Sequence, residues 1–314
     1  SASKTKLSNC TGSSLIASGA PAIRFDESGS GEQVTLNIEM TNVSNDGDIV
    51  ATASGGHKLI RCQTNEDFSV TDNCELIGCT GGTSFNVSGT NNLLVGCTSP
   101  LLAFTATASH SRAQGGNYTN VAYANGATYC YVGGATIRNT TGGNSCINMS
   151  GDYQFLQSCF IDHAGGITID IEKVGAVGIY IEHTYMQQGS TGSTVPLIRM
   201  NDPLELFIRG NVATDAAGSR MRRTNQTQSI RGEISGNIGF EDGFTGLPGS
   251  TVGDLLMENN KHWSGGTLTY LPSNHPNSYT VTNDVTDRTF DANSTTLAEL
   301  ADVVATLIKD MDRA

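Results

Sequence analysis

The chain has 314 residues, 37 of them Gly and only 7 Pro, and its 15% charged residues fall below the roughly 25% of an average globular protein. A net charge of −12 and a pI near 4.8 exclude duplex nucleic acid as a partner of the whole chain. That polyanion requires clustered Lys and Arg to replace its counterions. No run approaches the roughly 18 apolar residues of a membrane-spanning helix, so no membrane insertion is expected.

Taken in chain order, the first ten residues, Ser1 to Cys10, hold no apolar signal core and no Met, which suits a processed product or a piece of a longer protein. Val34-Thr-Leu-Asn-Ile-Glu-Met40 alternates apolar and polar positions, the two-residue period of a half-buried strand. Three near-copies follow: Lys58-Leu-Ile-Arg-Cys62, Glu75-Leu-Ile-Gly-Cys79 and Leu93-Leu-Val-Gly-Cys97. Their cysteines are separated in sequence by 79 − 62 = 17 and 97 − 79 = 18. Further strand-like runs align with them: Ala135 to Asn139, Phe155 to Cys159, Ile179 to His183, Phe207 to Asn211, Gly232 to Asn237 and Leu255 to Asn260. A repeat of this length is the mark of a solenoid, because one short strand cannot bury its apolar face alone and a stack of them can.

Gly, Asn and Asp punctuate the runs, as corners with positive φ require. No helical period long enough for a βαβ crossover occurs before residue 290. The fold expected is therefore all-β, a right-handed single-stranded parallel β-helix, with a short C-terminal β-segment and helix. Its divisions are a body over 1–262, a linker and β-segment over 263–292, and an oligomerisation helix over 293–314. The aligned cysteines read as a stacked ladder of buried free thiols, with disulfides between rungs as the competing reading.

The densest polar constellation lies between residues 162 and 183. Asp162-His163 ends one run and Glu182-His183 ends another, a step of 182 − 162 = 20, so rungs in register would stack the two acid–His pairs. Between them Ile167-Thr-Ile-Asp-Ile-Glu172 alternates strictly, placing Asp170 and Glu172 on one outward face with Cα atoms about 6.7 Å apart. Carboxyls roughly 6.5–9.5 Å apart suit inverting glycoside hydrolysis, and about 5–5.5 Å suits retaining chemistry. Asp170, Glu172, Glu182 and Asp162 are thus the candidate catalytic acids. The bland alternative is a solvated acidic face.

Seven of the nine tyrosines fall between 118 and 185, among them Tyr153, Tyr180 and Tyr185, and a flat ring with a polar edge suits a sugar. Stacking within the solenoid is the alternative. Arg199, Arg209, Arg220, Arg222, Arg223 and Arg231 form a basic run suited to acidic sugars, with salt bridges between subunits as the alternative. Tyr153, Tyr180, Tyr185, His163, His183, Arg199 and Arg209 are the candidate substrate-binding residues. Lys173 beside Glu172 leaves a polysaccharide lyase open. No nucleotide-cradling loop, zinc spacing or Gly-x-Ser-x-Gly elbow is present, so no metal or cofactor is expected.

After Leu271-Pro-Ser-Asn-His-Pro276, Thr296-Leu-Ala-Glu299 forms a capping box, and Leu297, Leu300, Val304, Leu307 and Met311 follow at coiled-coil spacing. This stripe suits self-association, or packing back on the solenoid. The stretch from Tyr279 to Ile308, with its Asp287-Arg-Thr-Phe-Asp-Ala-Asn293 turn and the helix after it, resembles the C-terminal end of bacteriophage tail fibre and tailspike proteins. The resemblance covers about a tenth of the chain and carries no catalytic residue. It implies a homotrimer on a virion tail, assembled in the bacterial host cytoplasm, that recognises and often depolymerises a bacterial surface polysaccharide. It also implies a virion-attachment domain or tail protein at the N-terminal end. A receptor-binding tail protein without catalysis is the second reading.

Overall fold

In the computed structural model the described residues are 38–270, interrupted at 46–47, 52–55, 142–144, 190–194, 216–219, 226, 228, 240–242, 246–251 and 265–266, together with 5–8, 11–12 and 23–25. The chain divides into two units, Ser1–Ser273 and Asn274–Ala314. The capping box, the leucine stripe and the tailspike-like stretch all lie outside the described residues.

Every described strand pair is parallel except the hairpin of Lys261–Ser264 with Thr267–Tyr270, and the described residues contain no helix. The chain is an all-β parallel solenoid. Each full rung supplies three short strands, which stack into three columns. The first column is a twelve-stranded sheet that holds the three cysteine-bearing repeats in the expected register: Lys58, Glu75 and Leu93 lie side by side, as do Leu59, Leu76 and Leu94. The second column includes Gln63–Thr64, Thr136–Asn139, Phe160–His163 and Tyr185–Gln188. The third includes Phe68–Val70, Ile147–Met149, Ile169–Ile171 and Ile198–Met200.

One alignment made from the sequence needs correction. Ala135 to Asn139 belongs to the second column, where Thr136–Asn139 pairs with Phe160–His163. The first-column rungs in this region are Arg112–Gln114 and Tyr131–Gly133. The repeat also lengthens along the chain. Neighbouring first-column positions are 17 apart in sequence at Lys58 and Glu75 but 27 apart at Glu182 and Arg209, because later rungs carry longer connections.

Register is held at one corner. The residue that follows the first-column strand sits in the left-handed region in rung after rung: Arg61, Gly78, Gly96, Gly115, Gly134, Ser158, His183, Gly210, Gly236 and Asn259 all have φ between 50° and 64°. Gly suits such a corner because it has no Cβ to clash. At Gly96 a Cβ would meet nothing within 4 Å, so conformation alone selects it.

The next residue then points inward. In the early rungs it is a thiol, Cys62, Cys79 and Cys97. In the late rungs it is an amide, Asn211, Asn237 and Asn260, and all six are buried. All seven described cysteines are free. Two of the aligned thiols donate to carbonyls of neighbouring rungs, Cys79 to Leu59 O at 3.4 Å and Cys97 to Leu76 O at 3.6 Å. Burial pushes the Cys159 thiol, at the same corner, and the Cys130 thiol, at another, up to about 11 and about 12, so they are inert as nucleophiles near neutral pH.

The asparagines form a tighter ladder. The Asn237 side chain donates to Asn260 Oδ1 and to Ile208 O, both at 2.8 Å. It accepts from Asn211 N at 3.0 Å and Asn211 Nδ2 at 2.9 Å. Beside this corner the inward positions of the first column run Leu94, Ala113, Val132, Leu156, Ile181, Ile208 and Ile234, all buried. Each large aliphatic side chain among them contributes about 1.5–3 kcal/mol. Replacing Asn237 with Ala leaves several buried donors and acceptors without partners, at about 1–3 kcal/mol each. The expected outcome in chemical denaturation is a loss of about 3 kcal/mol or more, and a loss under about 1 kcal/mol would contradict the ladder.

Candidate functional site

The same register that buries Leu156, Ile181 and Ile208 turns their neighbours outward. Phe155, Tyr180 and Phe207 stand in adjacent rungs. Their rings stack at 4.6 and 4.7 Å, tilted by only 9° and 6°. Two positions further along each strand, Gln157, Glu182 and Arg209 form a polar row on the same face. Arg209 lies between two carboxylates: Nη1 is 3.2 Å from Glu182 Oε1 and Nε is 2.7 Å from Glu233 Oε2. Its guanidinium also covers the Phe207 ring, 4.7 Å from the centroid. Arg231 pairs with Glu205 at 3.4 Å. The Tyr180 hydroxyl is pushed up, first by desolvation and then by Glu205, so it stays a proton donor.

A second column of rings marks the corner that enters this face. His110, Tyr129 and Tyr153, all with positive φ, stack at 4.7 and 4.5 Å. The column stops at Gly178, where φ is +68° and a Cβ would lie 2.6 Å from Tyr153 Cδ1. The Tyr153 ring is therefore packed directly on the Gly178 backbone, and a side chain there would collide with it. This matters for sugar recognition. Rings stacked at these distances cover one another's faces and show solvent mainly their edges, so the inner rings of a column cannot take a sugar ring face to face. Tyr180 is the candidate for a hydroxyl contact.

The remaining expected residues are dispersed. Asp170 lies in the third column, in register with Asn148 and Arg199. Its side chain is 1% exposed. Arg199 Nε donates to its Oδ1 at 2.9 Å, Arg199 Nη2 binds its Oδ2, and Ser145 Oγ donates to Oδ2 at 3.2 Å. The carboxylate in turn raises the Arg199 guanidinium above its ordinary value. Glu172, by contrast, is exposed and accepts from Ser150 Oγ at 3.4 Å. The two acids are outward neighbours with unlike surroundings, because the Arg199 side chain of the next rung lies over Asp170.

The expected stacking of Asp162-His163 on Glu182-His183 does not occur. Asp162 stands in the second column between Arg138 and Gln187, with Arg138 Nε at 3.0 Å. Glu182 stands in the first column between Gln157 and Arg209. The step from Asp162 to Glu182 joins strands of two different columns, so their side chains belong to different faces. His163 is buried in the interior, in register with Asn139 and Gln188. His183 is exposed at the left-handed corner, against Gly210. Tyr185 belongs to the second column, stacked on Phe160 at 5.3 Å, with its hydroxyl 2.8 Å from Thr214 Oγ1.

The structure thus brings together Tyr153, Tyr180, Glu182 and Arg209 of the expected set. It adds Phe155, Phe207, Glu205 and Glu233, whose signal in the sequence is their alternation with buried aliphatic positions. A separate shallow cleft of about 380 Å³ lies on the second column, lined in part by Pro100, Asn117, Tyr118, Thr136 and Arg138. Among the described residues no group of three or more His, Cys, Asp or Glu side chains could hold a metal ion. Comparison with known proteins finds no match to a family model, to a curated protein or to a solved structure.

Replacing Asp170 with Asn removes a buried charged acceptor from beneath Arg199. The expected outcome is a stability loss of about 1–3 kcal/mol in chemical denaturation. A variant of parental stability would contradict a structural role for the buried Asp170–Arg199 pair.

Proposed function

We propose that this solenoid is the body of a tailspike-type host-recognition protein, which binds a bacterial surface polysaccharide along the outer face of its first column and hydrolyses it there. The observation that carries the reading is the continuous strip in which the Phe155–Tyr180–Phe207 column runs beside Glu182, Arg209 and Glu233. Stacked parallel strands repeat about every 4.8 Å, so the face offers equivalent contacts over a length that suits an extended polymer. Within the strip the Tyr180 hydroxyl donates, and the carboxylates and Gln157 accept from sugar hydroxyls.

Hydrolysis requires one acid to protonate the leaving oxygen and a second carboxylate to activate water or attack the anomeric carbon. Glu182 and Glu233, both drawn to the one Arg209 guanidinium, are the pair assigned to these roles. Asp170 and Asp162 are committed to Arg199 and Arg138. One specific observation favours the second reading, binding without cleavage: Glu182 and Glu233 are themselves ion-paired, so none of these four acids stands apart from an arginine. The lyase reading has less support, because Lys173 is held by Asp152 at 2.6 Å. The virion-tail location, the trimer and assembly in a bacterial cytoplasm belong to the same proposal. Buried free thiols support the last of these.

The test is incubation with capsule or lipopolysaccharide from candidate bacterial hosts, following new reducing ends together with retention of the polymer. Glu182→Gln should lower cleavage by about 10²-fold or more while binding stays within about threefold. Binding without reducing ends in the parent protein would establish the non-catalytic reading. A parent that retains no host polymer would remove the proposal.

A further inference from the structure

We infer that the polysaccharide this face takes is a neutral one, made of sugars without carboxylate or sulfate groups; the inference rests on the face being a glycan site. In the sequence, the arginines between 199 and 231 suited acidic sugars. In the structure four of those six charges, including both on the first-column strip, are answered from within the chain. Arg199 is bound by Asp170, Arg209 by both Glu182 and Glu233, and Arg231 by Glu205. Arg223 and its partner Asp202 are sealed inside, each with a fully buried side chain.

Along the first-column strip, from Gln157 to Glu258, the outward charges among the described side chains are Glu182, Glu205, Glu233 and Glu258 against Arg209 and Arg231, a surplus of 4 − 2 = 2 negative charges. The net charge of −12 adds a long-range repulsion of the same sign.

An exposed ion pair is weak, so a uronate could draw a guanidinium away at little cost. It could not remove the carboxylates left behind. Glu182 and Glu233 would then stand uncompensated beside the incoming anion, and each repeat of an acidic polymer would meet the same surplus. A neutral sugar meets the opposite situation. Its hydroxyl groups donate to carboxylate oxygens, which carry two acceptors side by side and suit neighbouring hydroxyls on one ring. These bonds leave every arginine in its pair.

The experiment uses the full chain on an array of purified bacterial surface polysaccharides, with neutral and uronate-bearing repeats side by side, at ionic strengths of about 0.01 M and about 0.15 M. The polymers retained should have neutral repeats, and retention should change less than about twofold between the two salts, since no ion pair with the ligand is screened. Glu182→Gln with Glu233→Gln frees Arg209, and this double variant, with its β-type circular dichroism unchanged, should gain at least about tenfold in retention of polygalacturonate at the lower salt. Parent protein that retains uronate-bearing polymers, with retention collapsing at the higher salt, would overturn the inference and leave the glycan reading standing. Retention of no polysaccharide of either kind would overturn that reading and the inference with it.

Discussion

One backbone constraint organises this molecule, the left-handed residue that closes each first-column strand. With φ held between 50° and 64° from Arg61 to Asn259, every rung turns at the same point. Strands that turn together pair in register, and paired strands repeat the same side-chain position about every 4.8 Å. Everything else is a consequence of that repetition. Inward, it stacks leucines and isoleucines into a continuous core and places thiols or asparagines above one another. Outward, it forces whatever the sequence puts at one position to be compatible with copies of itself one rung away.

That outward constraint explains the composition of the face. Like charges at adjacent rungs repel, so the first column either stacks rings, as from Phe155 to Phe207, or alternates signs, as from Glu182 to Arg209. Both solutions satisfy the protein internally. A stacked ring has lent its faces to its neighbours, and a paired arginine has lent its charge to a carboxylate. What remains for a ligand is a set of ring edges, hydroxyls, amides and carboxylate lone pairs. These are groups that recognise hydroxyl-rich polymers by hydrogen bonding.

The fold was readable where rungs are short and uniform. Lys58 to Cys62, Glu75 to Cys79 and Leu93 to Cys97 carry the same aliphatic core and the same corner, and their register is as the alignment has it. It was lost where Arg112–Gln114 and Tyr131–Gly133 put polar or aromatic residues outward and a small Ala113 inward, so that no aliphatic run announces the strand. The site was harder to read than the fold. Alternation placed Asp170 outward, and it is outward, yet outward in a solenoid does not mean exposed when the next rung supplies an arginine to cover it. Spacing put Asp162 and Glu182 one repeat apart, but each full rung contains three strands, and a spacing near the period need not join the same column. The platform residues Phe155 and Phe207 were visible only as strand members. Their role depends on knowing which rung lies beside which.

The central claim is that the polysaccharide lies on the first-column face, and hydroxyl-radical footprinting with and without a retained polysaccharide tests it most directly. Protection should appear at Tyr153, Tyr180 and Phe207, while Phe160 and Tyr185, stacked in the same manner on the second column, should react as before. Protection at Phe160 and Tyr185 with Tyr153 and Tyr180 unchanged would place the polymer on another face and contradict the account.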